Sequence, residues 1–213
     1  MTNNSYSILL ATLSLAIVTF LTPCSAAEDG FVSLFNGTDL TGWVGNTNGY
    51  SVTEGELICE RGKGKGGNIY VAEPYTNFVF RFEFKLTPGA NNGVGIRAPL
   101  EGNASKKAFE VQILDNSHPK YAKLADSQYH GSIYKCYAAK RGHLKPVGEW
   151  NSQEIRADGI LITVVLNGAT IIDRADVTRY KRPSAGHIGF LGHGSHVAFR
   201  NIRAKRLPAT ATK

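Results

Sequence analysis

Residues 78–86 read FVFRFEFKL, which sets Phe78, Phe80, Phe82, Phe84 and Leu86 on one side of an extended chain and Val79, Arg81, Glu83 and Lys85 on the other. A period of two held over that length predicts a strand with one face in a core and the other in water. From residue 31 onward the chain repeats the theme in shorter runs bounded by Gly, Asn and Pro. Strands are predicted at 31–35, 50–52, 56–60, 67–72, 78–86, 93–98, 108–114, 131–134, 151–157, 160–166, 169–173, 186–191 and 196–206. Asn167-Gly168 joins two of them and is the strongest local hairpin signal in the chain. Only 121–129 and 173–180 could hold a helical turn. Many short strands without long helices predict an all-β fold, two antiparallel sheets packed as a sandwich.

The chain has 213 residues, 42% of them hydrophobic and 19% charged, which suits one domain with a substantial core. Residues 1–27 stand apart from it. Ile8 to Leu21 is nearly unbroken apolar and leads into Thr22-Pro23-Cys24-Ser25-Ala26-Ala27, the layout of a secretory signal peptide cleaved after Ala26 or Ala27. The apolar run is short for a membrane span, and no other stretch could cross a bilayer. The expected organisation is a signal peptide at 1–27, one domain at 28–208 and a disordered tail at 209–213, with the mature protein periplasmic or secreted. Beyond the leader the cysteines are Cys59 and Cys136, a disulfide or two buried thiols with neither favoured by the sequence. The formal charge is +7, but the basic residues are scattered and no helix or aromatic–basic motif gathers them, which argues against nucleic acid. The Gly-rich "GKGKGG" at 62–67 lacks the form of a phosphate loop and reads as a hairpin loop.

Candidate chemistry concentrates at "AFEVQILDNSHP", residues 108–119. Parity puts Glu110 and Gln112 on one face of the strand with Phe109, Val111 and Ile113 beneath. In "GVGIRAP" (93–99), Gly95 and Arg97 share a face, suggesting open space above the sheet with a cation reaching into it. Pairing of the two strands as neighbours would bring Arg97 to Glu110. Asp115, Asn116 and His118 crowd the strand end, and "QYHGSIYK" adds Gln128, His130 and Tyr134 shortly after. The spacing Glu110-x-Gln112-x-x-Asp115 approaches the E-x-D-x-x-E of laminarinase-type glycosidases. Gln112 in place of the central carboxylate, and the shorter Asp115, weigh against ordinary double displacement.

From about residue 30 to 207 the chain resembles the 3-keto-disaccharide hydrolase domain family. The resemblance is carried by "GFVSLFNGTDLTGW" (30–43), "FRFEFKLTPGANNGVGIRA" (80–98), "FEVQILDN" (109–116), "GSIY" (131–134), "KPVGEWNSQEI" (145–155), "VVLNG" (164–168) and "HIGFLGHGSHVAFRNIRAKRL" (187–207). It implies a concanavalin A-like jelly roll and action on a carbohydrate substrate, a 3-keto glycoside. That family commonly has an acidic residue before a His-Gly pair near the C-terminus; here the position is Gly192, before His193-Gly194.

A ketone at C3 acidifies the C2 hydrogen, so such a site needs a base near C2, a stabiliser for the enolate oxygen and an acid for the leaving group. Glu110 or His193 is expected as base and Arg97 as enolate stabiliser. Asp115, His130 or Tyr134 would be the acid or sugar contacts, and Gln112 and Asn92 would hold hydroxyls. A divalent metal ion held by Glu110, Asp115 and a His is an alternative electrophile. Two rival functions remain at this point: a non-catalytic carbohydrate-binding module and a conventional glycoside hydrolase.

Overall fold

The computed structural model describes residues 30–60, 62 and 66–208, so the predicted leader and tail lie outside the described residues. In chain order the strands are β1 (Val32–Ser33), β2 (Trp43–Gly45), β3 (Tyr50–Thr53), β4 (Glu56–Cys59), β5 (Gly67–Val71), β6 (Phe78–Leu86) and β7 (Asn91–Ala98). They continue with β8 (Phe109–Leu114), β9 (Trp150–Asp158), β10 (Leu161–Leu166), β11 (Ala169–Asp176), β12 (His187–Gly192) and β13 (Val197–Arg206). One sheet runs β11-β10-β9-β6-β13-β4-β3, with β1 also on β13; the other runs β2-β5-β12-β7-β8. Among the described residues the strands of both sheets pair antiparallel, giving the two-sheet sandwich that the alternation predicted.

β6 explains the core. Phe78, Phe80, Phe82, Phe84 and Leu86 are buried between the sheets, whereas Arg81, Glu83 and Lys85 are only partly covered. Phe190 of β12 and Phe199 of β13 stack at 3.8 Å across the interior, and Phe82 meets Phe190 edge-on at 5.4 Å. Each such ring contributes roughly 1.5–3 kcal/mol by leaving water. Trp43 stacks on Phe190 and belongs to this core. Asn167 and Gly168 both have positive φ, 50° and 85°, and close the β10–β11 hairpin as the sequence predicted.

Three local expectations change. β2 is a strand that the sequence reading omits. The 131–134 segment is held to β8 by the single bridge Val111–Ile133 rather than as a full strand, because Gly131 and Lys135 on either side take positive φ. β4 and β5, which flank the 62–67 stretch, lie in different sheets and do not pair as a hairpin, while residues 63–65 of that stretch lie outside the described residues. Among the described residues the α-helix is a single turn, α1 (Ala104–Lys107), capped by the Asn103 side chain. The 121–129 stretch holds a 3-10 turn at Asp126–Gln128, and 173–180 finishes β11 before a 3-10 turn at Thr178–Tyr180. Cys59 and Cys136 are both free thiols, and burial pushes Cys59 up to about 11. Among the described residues no helix is long and apolar enough to cross a membrane.

Candidate active site

β8 is buried on both faces. Phe109, Val111 and Ile113 enter the core between the sheets. Glu110, Gln112 and Leu114 point to the opposite, outer face, where the α1 loop and the 119–134 segment rise over the sheet. The edge of β8 is closed by that second segment: Gln112 N donates to Ser132 O, Gly131 N to Gln112 O and Tyr134 N to Glu110 O, at 2.8–2.9 Å. This lattice fixes Tyr134 next to Glu110.

Two adjacent cavities lie on this outer face. One, about 190 Å³, is lined by Asn91, Glu110, Gln112, Gln128, Tyr134 and His193 among others; its neighbour, about 320 Å³, includes Asn68, Asn103 and Leu191. Ser105, Glu110 and His193 line both, so they stand at the junction. The Glu110 carboxylate is 4% exposed, and its Oε1 lies 3.3 Å from His193 Nε2. His193 is 44% exposed, so the pair has one sealed and one open member. Gly93 and Gly95 of β7 flank Glu110 across the ladder. A Cβ on Gly93 would fall 2.3 Å from Glu110 Oε1, so the glycine makes the room that the carboxylate occupies. Tyr70 packs alongside; burial, with a smaller push from Glu110, raises its hydroxyl to about 12, and it stays protonated.

The remaining polar groups are ordered for binding. Gln112 Nε2 donates to Asn91 Oδ1 at 2.8 Å, and both residues line the smaller cavity. Gln128 Nε2 donates to Tyr134 Oη at 3.0 Å, so the tyrosine proton is free for another acceptor. Asn91, Ser105, Tyr121 and Asn68 were not anticipated from the sequence. They come from separate loops and strand ends, and no spacing links them.

Four expected site residues are elsewhere. Arg97 does not reach Glu110. β7 spends four residues, Gly95 to Ala98, opposite three of β12, Gly189 to His187, and Arg97 takes φ 55° at this bulge. The parity argument fails there, and its Nε donates to Thr76 O at 2.8 Å. Asp115 sits on the opposite side from Glu110, because β8 pairs with β7 without interruption from Phe109 to Leu114 and nothing returns the fifth residue to the first one's face. Its carboxylate accepts from Gly89 N, Ser117 N and Ser117 Oγ. Burial raises its pKa, but the Ser117 and Gly89 bonds outweigh that and hold it below the usual carboxylate range. His130 is 2% exposed, stacks on Phe84 at 5.1 Å and accepts from Leu114 N through Nδ1. Burial lowers its pKa to about 3, which keeps the ring neutral. Asn92 is fully buried on the core side of β7, its Oδ1 taken by Gly93 N.

The metal set of Glu110, Asp115 and a His is therefore not assembled. Among the described residues no group of three or more His, Cys, Asp or Glu side chains is placed to hold an ion. Gly192 has a packing reason: a Cβ there would meet Cys59 Sγ at 2.7 Å and the Gly67 backbone at 2.8–2.9 Å, so no acidic side chain fits.

A family model described as a 3-keto-alpha-glucoside-1,2-lyase-like domain matches residues 30–205. A 3-keto-disaccharide hydrolase of Bacteroides thetaiotaomicron is 26% identical over 84% of this chain and 79% of its own length. A crystal structure of a glycosyl hydrolase candidate from Parabacteroides distasonis superposes with a TM-score of 0.73, 25% identical, covering 84% of this chain and 94% of that one. A Bacillus subtilis protein with a galectin-like fold, 13% identical over 84% of this chain and 96% of that one, has a TM-score of 0.56 and supports the jelly-roll assignment alone.

Proposed function

This chain belongs to the 3-keto-alpha-glucoside-1,2-lyase-like domain family, and from that premise we propose that it is an enzyme cleaving 3-keto glycosides, disaccharides among them, with net hydrolysis. The observation that carries this reading is the Glu110–His193 pair, one sealed carboxylate held at 3.3 Å from a half-open imidazole at the junction of two cavities. Glu110 is the acidic side chain among the described residues lining the two cavities. That suits a reaction needing one base, whereas displacement at C1 ordinarily needs two carboxylates flanking the bond.

In the proposed reaction Glu110 removes the C2 proton, and the electron pair moves into the C2–C3 bond as the C3 carbonyl becomes an enolate. Tyr134, whose oxygen already accepts from Gln128, donates its proton toward that enolate oxygen, the role that Arg97 is too distant to fill. The enolate collapses, the C1–O bond breaks, and His193 in its protonated form delivers a proton to the departing oxygen. Water then adds across C1=C2 of the enone, hydroxyl to C1 and hydrogen to C2. Gln112 and Asn91 hold ring hydroxyls. The leader-like stretch at 1–27 supports placing this activity in the periplasm or outside the cell.

The test is turnover of a 3-keto disaccharide against its unoxidised parent at equal concentration. The expected outcome is sugar release from the keto substrate alone. Equal release from the parent would point to a conventional glycosidase, and saturable binding without release from either would point to a binding module.

A further inference from the structure

The bulge that turns Arg97 away from Glu110 delivers it to a different cavity. This space, about 370 Å³ at one end of the sandwich, is lined by Thr76, Asn77, Arg97, Phe109, Ile160, Val177 and the 181–184 segment. Arg97 is 3% exposed, yet its guanidinium makes only two hydrogen bonds among the described residues, Nε to Thr76 O at 2.8 Å and Nη2 to Asn77 Oδ1 at 3.4 Å. Both acceptors are neutral, and Nη1 has no partner among the described residues. The acidic group whose field reaches Arg97 is Asp158, and that carboxylate is already paired with Arg156 at 2.7 Å. Two further cations line the same cavity, Lys181 and Arg182. Arg182 lies over the Phe109 ring at 5.0 Å and donates to Ala108 O. No Asp or Glu is among the lining residues.

A buried guanidinium with an unused edge is costly unless something negative meets it. The planar fork of arginine matches a carboxylate, two parallel N–H groups to two oxygens. Phe109, Ile160, Val177 and Pro183 give the wall an apolar stretch beside the neutral polar Thr76, Asn77, Thr178 and Ser184, and Ile160 is 50% exposed at the surface. A fully hydrated phosphate would gain little from such walls. We propose that this cavity is a second binding site, separate from the Glu110 groove, for a small organic carboxylate whose apolar body lies on Phe109, Ile160 and Val177 while its charge meets Arg97, Lys181 and Arg182.

The test is a titration of ¹⁵N-labelled protein with benzoate, with benzamide and inorganic phosphate as separate arms. Benzoate should give saturable shifts at Arg97 and across residues 178–184. Benzamide, which keeps the body and loses the charge, and phosphate, which keeps the charge and loses the body, should each bind about tenfold more weakly or worse. Lys181→Gln, a change at an exposed turn, should weaken benzoate by several-fold with an unchanged amide spectrum elsewhere. Equal binding of benzamide would leave a merely apolar hollow. Equal binding of phosphate would leave nonspecific attraction to a basic surface. Shifts centred on Glu110, or none that saturate, would overturn the site outright.

Discussion

Glu110→Gln is expected to lower kcat on a 3-keto disaccharide by roughly 10²–10⁴-fold, the range over which a positioned general base contributes. The substitution is nearly isosteric. An amide fills the space opposite Gly93, and its oxygen or nitrogen can still meet His193 Nε2, so folding and substrate binding should be almost unaffected. What is lost is the lone pair that takes the C2 proton. The signature is therefore a collapse in kcat with KM and melting temperature near those of the unaltered protein. A variant that keeps its kcat would remove Glu110 from the chemistry and leave His193 as the base.

Gly93→Ala is expected to inactivate by a different route. The new Cβ would lie 2.3 Å from Glu110 Oε1 and 2.8 Å from its Cγ, so the carboxylate must give way by about an ångström. Gly93 is not among the glycines with positive φ, so alanine suits the backbone and the strain falls on the side chain opposite. A displacement of that size costs on the order of 10² in rate, and overpacking costs about 1–3 kcal/mol of stability. Gly95→Ala is the control two residues along. Its Cβ would meet Leu191 Cδ2 at 3.0 Å and Tyr70 Cε1 at 3.3 Å, groups outside the proposed proton path. Steady-state kinetics and thermal melts on the two variants should show Gly93→Ala far slower but still folded, and Gly95→Ala close to normal in rate. Equal rates in both would mean that the space above Gly93 does not set the position of the base.

The sandwich was legible because its strands alternate cleanly: β6 announces its core face in nine residues, and Asn167-Gly168 fixes a turn that only positive φ permits. Trp43–Gly45 was missed because a three-residue strand with only Trp43 and Val44 between glycines carries no periodicity. Within the site, parity placed Glu110 and Gln112 correctly relative to Phe109 and Val111, since β8 pairs without a bulge. The same rule misdirected Arg97, because an extra residue in β7 has no signature in "GVGIRAP". Asn92, Asp115 and His130 show a second limit. Each is a polar residue turned inward to satisfy backbone or strand ends, and composition alone does not separate such residues from ones facing a substrate. The approach of His193 to Glu110 spans 83 residues and exists only once β12 lies beside β7.

The proposed reaction differs from any direct displacement at C1 in one atom, the hydrogen at C2. A 3-keto disaccharide carrying deuterium at C2 of the keto sugar should be cleaved more slowly than the unlabelled substrate, and its keto-sugar product should have lost that deuterium to solvent faster than an enzyme-free control. Cleavage at an undiminished rate with the deuterium fully retained at C2 would contradict the account, because the bond that Glu110 is held to break would then have stayed intact.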